Sequence, residues 1–250
     1  MSDIIAERSG NILSIQLNRP AKKNAMTSSM YITMAELLNG AAKDDEIRVV
    51  LWHAAGNSFS AGNDIEDFIK NPPPQGDSPQ AQLMHALINF EKPLVAAVQG
   101  AAIGGGTTML AHCDFVYAGE SAKFQLPFVN LALVPEFGSS YLLPLRFGYT
   151  RAAELILLGQ PFGAVRAAEL GLVTQVVPDQ SLLATATETA RALAAKPAAA
   201  VQASKRLMKH PLREQLEQAV KLENEVFAER VRSDDAKQAF QVFVASRKPA

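Results

Sequence analysis

Two glycine-containing segments carry residue types that could stabilise a developing negative charge. The first reads FSAGND at residues 59–64, and the second reads GAAIGGG at residues 100–106. Each follows an apolar, strand-like run and has the pattern of a helix start. The first turn of a helix exposes backbone N–H groups without intrahelical partners, and glycine lets a ligand approach them closely. Two such groups aimed at one point form an oxyanion hole, which suits a reaction that passes through an enolate.

One carboxylate lies in surroundings that could make it an acid–base group. Glu136 follows a proline within the stretch LVPEFGSS at residues 133–140. Its apolar neighbours would raise its pKa toward a useful range if the side chain is buried. These neighbours are Phe128, Leu133, Val134 and Phe137. A glutamate that only favours the macrodipole at the start of a helix is the alternative interpretation.

The elements that must position these groups alternate along the chain. Strand-like runs cover residues 12–17, 49–53, 94–98, 115–118 and 173–177, and helical patterns cover residues 27–42, 80–90, 105–112 and 141–145. This alternation predicts an α/β fold. Thr27 or Ser28 is the expected N-cap of the first long helix. Beyond residue 178 the sequence predicts only helices, over residues 181–196, 198–208, 212–232 and 234–246, which Pro197 and Pro211 separate.

Residues 71–79 read NPPPQGDSP and predict a loop, because prolines and glycine at this density do not fit inside a helix. The loop follows the first glycine-containing segment. It is either a mobile cover for a substrate chain or a plain surface loop.

Composition excludes several classes of function. The chain has 250 residues, of which 48% are apolar and 20% are charged, and its formal net charge is −1. This balance does not indicate a nucleic-acid partner. No apolar run reaches the roughly 18 residues of a membrane span, and the N-terminus lacks the pattern of a signal peptide. Cys113 is the single cysteine and the four histidines have no metal-ligand spacing. We therefore expect a cytoplasmic protein without a metal, a membrane partner or a nucleic-acid partner.

Three blocks of sequence resemble the signature blocks of the enoyl-CoA hydratase/isomerase (crotonase) superfamily. They are NRPAKKNAM at residues 18–26, FSAGND at residues 59–64 and AIGGG at residues 102–106. The likeness continues through residues 113–115, 122–124 and 167–173, and so covers essentially the whole chain. It implies a spiral of ββα repeats over residues 1–195 and a helical region over residues 196–250, through which family members assemble as homotrimers or dimers of trimers.

One apolar stripe in the predicted C-terminal helices fits such packing. Its members are Leu216, Val220, Leu222, Val226 and Phe227. Burial of the stripe within one subunit explains the pattern equally well.

The resemblance also implies roles for residues of the two glycine-containing segments. The oxyanion hole would consist of the backbone N–H groups of Asn63 and Gly105, so the Asn63 side chain would not be required. The substrate would be an acyl-CoA thioester, and no separate cofactor is expected. The adenine part of coenzyme A would lie near the backbone of Ala25, Ala61 and Asp64.

Other residues are expected around the same substrate. Gly62, Ile65, Gly104 and Phe128 would line its site. Lys22 or Lys23 is close enough in sequence to meet a phosphate, although either lysine could be a solvated surface charge. Asp64 could instead be a structural acid at the start of a helix.

The acid–base residues decide which reaction is expected. Hydratases of the superfamily carry two glutamates, and here the corresponding positions are Thr108 and Phe128. The segment around Glu136 resembles the Pro-Glu-x-x-Ser-Ser segment of peroxisomal-type Δ3,Δ2-enoyl-CoA isomerases, in which this glutamate is the only catalytic base. The expected reaction is therefore a shift of a double bond from C3 to C2 of an enoyl-CoA.

Two groups of alternatives stay open. One is another reaction of the superfamily, such as hydration of an unusual enoyl-CoA, a retro-aldol reaction or a dehalogenation. The other is a catalytically weak protein that binds acyl-CoA or acts through its oligomer, for which the loss of both hydratase glutamates is the motivation.

Overall fold

Two β-sheets and eleven α-helices form the part of the protein that the computed structural model describes, which is residues 2–71 and 78–245. The strands are β1 (Ile4–Ser9), β2 (Ile12–Leu17), β3 (Val49–Ala54), β4 (Leu94–Val98), β5 (Ala101–Ile103), β6 (Phe115–Gly119), β7 (Lys123–Gln125), β8 (Phe162–Gly163) and β9 (Gln175–Val177). The helices are α1 (Ser28–Lys43), α2 (Ile65–Lys70), α3 (Pro79–Asn89), α4 (Gly105–Thr108), α5 (Ser139–Phe147), α6 (Tyr149–Leu158), α7 (Ala164–Glu169), α8 (Leu182–Ala194), α9 (Ala198–Lys209), α10 (Arg213–Arg230) and α11 (Asp234–Ala245).

The larger sheet has the strand order β1-β2-β3-β4-β6-β9, and only its β1–β2 pair is antiparallel. Its central strands are apolar on both faces, as expected for parallel strands covered by helices on each side. In β3, Val50 and Trp52 face the main core with α1 and α3, whereas Val49 and Leu51 face α8. The smaller sheet has the strand order β5-β7-β8, and its strand β5 is part of the second glycine-containing segment.

The α/β fold predicted from the sequence is confirmed in its main elements. All five predicted strands are present, and Thr27 caps α1 by accepting a hydrogen bond from the Met30 N–H group. The predicted helix over residues 105–112 divides into α4 and a 3₁₀ turn at Met109–His112. The helix start predicted at the first glycine-containing segment is present as α2. The sequence did not predict β1, β5, β7, β8, α6 or α7, most of which are too short for a clear periodic pattern.

The prediction of a loop over residues 71–79 is wrong at the C-terminal end of the stretch. Ser78 and Pro79 were placed in a loop, but Ser78 is the N-cap of α3 and Pro79 is its first residue. Proline is tolerated at this position because its missing N–H group would have no intrahelical partner. Helix α2 also separates the first glycine-containing segment from this stretch. Residues 72–77 lie outside the described residues, so a cover over the substrate stays a prediction.

The C-terminal part of the described chain is helical after β9, as predicted, and residue 246 of the last predicted helix lies outside the described range. The apolar stripe of α10 packs in part within the subunit, since Leu216 and Phe227 are buried and Val220 contacts Gly138. Leu222 is exposed. Across the described residues, no helix combines the length and the apolar character needed to cross a membrane.

Candidate active site

The two glycine-containing segments lie side by side. Ser60 forms an isolated parallel bridge with Ala102, and the Ile103 N–H group donates to the Ser60 carbonyl at 2.9 Å. Gly62 has φ +83°, and a Cβ atom there would lie 2.8 Å from the Ile103 carbonyl oxygen. Glycine is required at this position, both for the backbone conformation and for the close approach. The structure therefore brings together two segments that are 40 residues apart in the sequence.

Two backbone N–H groups at this junction have no partner within the described residues. Asn63 stands directly before the N-cap of α2, and Gly105 is the first residue of α4. The N–H groups of their neighbours are bonded, that of Asp64 to Met26 and that of Gly104 to Gln125. Asn63 and Gly105 both line a cavity of about 500 Å³. Both predicted oxyanion-hole residues thus meet at one cavity and leave their N–H groups available to a ligand.

Glu136 lies at the same cavity and is only 3% exposed. Its Oε1 atom lies beside Gly105, where an added Cβ atom would be 2.8 Å away. The pKa of Glu136 is raised to about 8, chiefly by burial and in addition by the negative charge of Glu223, while a hydrogen bond from Asn63 opposes both effects. Among the described residues that line this cavity, Glu136 is the only carboxylic acid. The expected burial and raised pKa of Glu136 are therefore present.

The Glu136 side chain does not serve the N-terminus of a helix. Helix α5 begins at Ser139 after the N-cap residue Gly138. The carboxylate that caps this helix is Glu223 of α10, which accepts hydrogen bonds from the N–H groups of Gly138 at 2.6 Å and Ser140 at 2.7 Å. The N–H groups at the start of α5 are therefore bound by Glu223 and not by Glu136.

A buried histidine holds the backbone next to Glu136. The Nε2 atom of His112 is 2.7 Å from the Phe137 carbonyl oxygen. Burial lowers the pKa of His112 to about 3, so the ring is neutral and donates its Nε2–H group to that carbonyl. His112, one of the four histidines without metal-ligand spacing, is buried and supports the loop that carries Glu136.

The sequence did not predict a series of hydrogen-bonded side chains that ends at Glu136. The Tyr31 hydroxyl donates to Asn63 Oδ1 at 2.7 Å, and Asn63 Nδ2 lies 3.4 Å from Glu136 Oε1. Tyr31 is fully buried, and burial raises its pKa well above the usual value, so its hydroxyl remains protonated. The sequence indicated only that Tyr31 lies on the apolar face of α1, and the Asn63 side chain was not expected to matter.

All eight residues expected at the substrate line this cavity or an adjoining cavity of about 460 Å³. They are Lys22, Ala25, Ala61, Gly62, Asp64, Ile65, Gly104 and Phe128. The two cavities share Ala61, Asn63, Ile65 and Lys23, so they form one continuous groove past the two available N–H groups. Lys22 is largely exposed, with its Nζ atom 3.9 Å from Glu66.

The first sequence block is held rigidly beside this groove. The buried Asn24 side chain accepts from the Arg19 N–H group and donates to two carbonyls of residues 55 and 58. The Arg19 guanidinium donates to the Ala25 carbonyl at 2.9 Å and to Asp64 Oδ2 at 2.6 Å. Asp64 also caps α2, and although burial opposes ionisation, the bonds from Arg19 and the backbone hold its pKa below the usual value. The Asp64 side chain is therefore structural.

A third cavity, of about 150 Å³, lies apart from this groove and is lined by neither Glu136 nor the two residues with available N–H groups. It is lined by charged residues of α9 and by Cys113 and Asp114. The Lys205 ammonium pairs with Asp114 at 2.6 Å, and burial raises the pKa of the Cys113 thiol to about 12, which makes it a poor nucleophile. No group of three or more potential metal ligands occurs among the described residues.

Comparison with known proteins gives one consistent relationship. A sequence model of the family described as enoyl-CoA hydratase/isomerase matches residues 7–250. The chain is 36% identical over 255 residues to enoyl-CoA hydratase EchA19 of Mycobacterium tuberculosis, spanning 99% of this chain and 95% of that protein. It is 33% identical over 252 residues to enoyl-CoA delta isomerase 2 of Rattus norvegicus, spanning 98% of this chain and 64% of that protein. The solved structure of Pseudomonas aeruginosa OdaA is similar with a TM-score of 0.95 and 44% identity, over 97% of this chain and 99% of that one.

Proposed function

The chain belongs to the enoyl-CoA hydratase/isomerase family, and within this family we propose that it shifts a double bond from C3 to C2 of an enoyl-CoA thioester. In this proposal the N–H groups of Asn63 and Gly105 bind the thioester oxygen. Glu136 moves the proton. The family's relatives carry both hydratase and isomerase names, so the choice between the two reactions depends on the groups at this site.

One observation carries the proposal: among the described residues that line the cavity of the two available N–H groups, Glu136 is the only carboxylic acid. Hydration is expected to need two groups to position and deprotonate the water. The two hydratase positions hold Thr108, which is buried and directs its hydroxyl toward carbonyls of its own turn, and Phe128, which presents an apolar ring to the groove. The other nearby carboxylate, Glu223, is occupied by two backbone N–H groups.

A one-base isomerisation needs only the groups that are present. Ionised Glu136 removes a proton from C2 of the 3-enoyl thioester, and the electrons pass through C2 and the carbonyl to give a dienolate. The N–H groups of Asn63 and Gly105 stabilise the negative oxygen, and loss of one such donor typically costs about 2.7–4 kcal/mol of transition-state stabilisation. Glu136 then returns the proton to C4. A pKa of about 8 makes Glu136 a stronger base than an exposed glutamate while leaving it partly ionised near neutral pH.

The adjoining part of the groove suits the coenzyme A portion of the substrate. It is lined by Ala25, Ala61 and Asp64, where the adenine would lie, and by Lys22 and Lys23, which would meet phosphate groups. Coenzyme A enters as part of the substrate, so the reaction as proposed uses no further cofactor.

Assembly as a homotrimer or a dimer of trimers, mediated by residues 196–250, is a proposal of the same kind. Large apolar side chains are exposed in this region on α9 and α10, namely Leu207, Met208 and Leu222, and they would be covered by a second copy of the chain. Light scattering coupled to gel filtration measures this mass directly. A monomer at micromolar concentration would contradict the assembly proposal without touching the chemistry.

Product analysis with two substrates in parallel tests the proposed reaction. Purified protein is given a 3-enoyl-CoA and, separately, a 2-enoyl-CoA in water. Conversion of the 3-enoyl to the 2-enoyl thioester with little 3-hydroxyacyl product supports the proposal. Rapid formation of 3-hydroxyacyl-CoA from the 2-enoyl substrate contradicts it and means that a group other than the two missing glutamates activates water.

Variants then separate catalysis from binding. Glu136→Gln is expected to abolish turnover while acyl-CoA affinity is retained, and Glu225→Gln, an exposed change on α10, is the matched control. An active wild-type enzyme that tolerates Glu136→Gln would show that Glu136 is not the base. Tight acyl-CoA binding without turnover of either substrate would favour the binding-protein alternative.

A further inference from the structure

We infer that Glu223 is a positioning residue for Glu136, which from α10 holds the turn that carries Glu136 and places a second buried carboxylate beside it. The inference deepens the proposed function and rests on it to the extent that Glu136 is the proton-transferring group. Glu223 itself does not line the groove in the described structure, so its effect passes through Glu136.

The contacts of Glu223 are specific to the turn next to Glu136. Its Oε2 atom accepts from the Gly138 N–H group at 2.6 Å, and its Oε1 atom accepts from the Ser140 N–H group at 2.7 Å. Both donors belong to the first turn of α5, whose N-cap residue is a glycine without a side chain. The Glu223 carboxylate, 85 residues after Gly138 in the sequence, therefore accepts the hydrogen bonds that a local N-cap side chain usually accepts.

The turn that Glu223 holds has an unfavourable backbone conformation. Phe137 has φ +62° and Gly138 has φ +67°, and the left-handed region is costly for a side chain such as phenylalanine. The turn is fixed on both sides, because His112 donates to the Phe137 carbonyl and Glu223 accepts from the Gly138 N–H group. A backbone in this region persists where surrounding contacts over-determine it, and such positions often occur at functional sites.

Close approach of α10 to this turn depends on the absence of a side chain at Gly138. A Cβ atom there would collide with the Leu216 side chain and would lie 3.2 Å from Val220. Leu216, Val220, Glu223 and Phe227 recur at helical spacing along one face of α10. Glu223 is thus a carboxylate on an otherwise apolar, buried face, with 5% of its surface exposed.

A buried carboxylate at this place has an electrostatic consequence for Glu136. Within the described residues Glu223 has no lysine, arginine or histidine partner, so the N–H groups and the helix dipole of α5 compensate its charge. The titratable groups that face Glu136 are Tyr31 and Glu223, and neutral His112 lies behind the Phe137 carbonyl. Since Tyr31 and His112 are uncharged, Glu223 is the group that penalises ionisation of Glu136, in addition to burial.

The test measures the protonation of Glu136 without turnover. Full-length protein labelled with ¹³C at glutamate side-chain carboxyls is titrated by NMR, and the Glu136 resonance is identified by its loss in Glu136→Gln. In Glu223→Gln we expect the Glu136 midpoint to move to lower pH by roughly half to one unit, because the neighbouring charge is gone. We expect kcat to fall about tenfold as well, because the turn is held less firmly.

Two further variants assign the effect. Glu223→Asp keeps the charge but shortens the reach, so its midpoint stays near that of the wild type while kcat falls. Glu225→Gln on the same helix is exposed and changes neither quantity. A well-folded Glu223→Gln protein, judged by circular dichroism, with an unaltered Glu136 midpoint overturns the inference. If Glu223→Gln does not fold, unchanged kcat in Glu223→Asp overturns it instead.

Failure of this inference can be told apart from failure of the proposed reaction. The NMR midpoint of Glu136 does not depend on any substrate. A wild-type enzyme whose activity survives Glu136→Gln removes the proposed role of Glu136, whether or not Glu223 shifts its midpoint. If Glu223→Gln shifts the Glu136 midpoint but the wild-type protein has no isomerase activity, the coupling between Glu223 and Glu136 is supported and the proposed reaction is contradicted.

Discussion

The Tyr31 hydroxyl donates a 2.7 Å hydrogen bond to the side-chain oxygen of Asn63, and this bond directs the amide nitrogen of Asn63 toward Glu136. Asn63 thereby presents two different groups to the site: its backbone N–H group faces the groove, and its side-chain N–H₂ group lies 3.4 Å from the Glu136 carboxylate. A bond to the ionised form of a carboxylate lowers its pKa. Asn63 therefore opposes the effect of burial and of Glu223 on the same group.

Replacing the Asn63 side chain is expected to shift the pH dependence of the reaction. Asn63→Ala keeps the backbone N–H group but removes the bond to Glu136, so the pKa of Glu136 rises and the acidic limb of kcat/KM moves to higher pH. At pH 7 we expect activity to fall about threefold to tenfold, with a smaller loss at pH 9. Tyr31→Phe only removes the hydrogen bond that orients the Asn63 side-chain amide. It should therefore shift the acidic limb of kcat/KM in the same direction by a smaller amount. Identical pH profiles in all three proteins would show that the amide does not act on Glu136.

The contact between Gly105 and Glu136 predicts a severe effect of one added methyl group. In Gly105→Ala the new Cβ atom would lie 2.8 Å from Glu136 Oε1 and 3.1 Å from the Tyr31 hydroxyl. The carboxylate must therefore move, and we expect kcat to fall at least about a hundredfold, since catalysis depends on positioning at the ångström scale. The measurement is kcat together with the midpoint of urea unfolding.

The matched control for this change is Gly40→Ala in α1. A Cβ atom at Gly40 meets nothing within 4 Å, and alanine is favoured over glycine inside a helix by roughly 0.5–1 kcal/mol. Gly40→Ala should thus be fully active and slightly more stable than the wild type. Equal activity of Gly105→Ala and Gly40→Ala would contradict the placement of Glu136 beside the second glycine-containing segment.

Much of this site was predictable because its signals are local. The two glycine-containing segments and the strands before them follow from short patterns of residues, and the α/β fold with a helical C-terminal part matches solved structures of the family. The start of helix α2 was predictable because Asp64 is a good N-cap residue, and Glu66 and Asp67 lie in the first turn, which is typical of a capped helix start. Strand β1 was missed because most of its residues are exposed and only the first three are apolar.

The surroundings of Glu136 were less predictable because they depend on contacts distant in sequence. Tyr31 on α1 appears in the sequence as one more apolar position, and its hydroxyl acquires a partner only when α1 packs against the first segment. Glu223 left a weak signal, since a carboxylate stands among apolar residues on one face of α10. Nothing local links it to Gly138, which lies 85 residues earlier.

The raised pKa of Glu136 predicts that the protein is less stable at alkaline pH. The ordinary pKa of 4.5 rises to about 8 in the folded chain, so between these pH values the folded state binds more protons than the unfolded state. The free energy of unfolding must then fall as pH rises through this window. Glu136→Gln removes this contribution and should be more stable than the wild type above pH 8, by an amount on the order of a few kcal/mol, but not below pH 4.5.

Urea unfolding of both proteins at several pH values measures this difference. Glu223 contributes to the pH dependence of both proteins, so their difference reports Glu136 together with its coupling to Glu223. A constant difference between the two proteins from pH 4.5 to 8 would mean that Glu136 is not buried as the structure has it.

The two lysines of the first block are expected to affect binding and not chemistry. Lys22 and Lys23 line the part of the groove assigned to coenzyme A, and of the two only Lys23 also lines the cavity that holds Glu136. An exposed ion pair with a phosphate contributes about 1 kcal/mol or less, so Lys22→Ala should raise KM up to about fivefold and leave kcat unchanged. The loss should shrink as salt is added, because exposed charges are screened. Lys43→Ala, at the end of α1, provides a control of equal charge. A lower kcat in Lys22→Ala at saturating substrate, or an unaltered KM in both Lys22→Ala and Lys23→Ala, would place the phosphates of the substrate elsewhere on the protein.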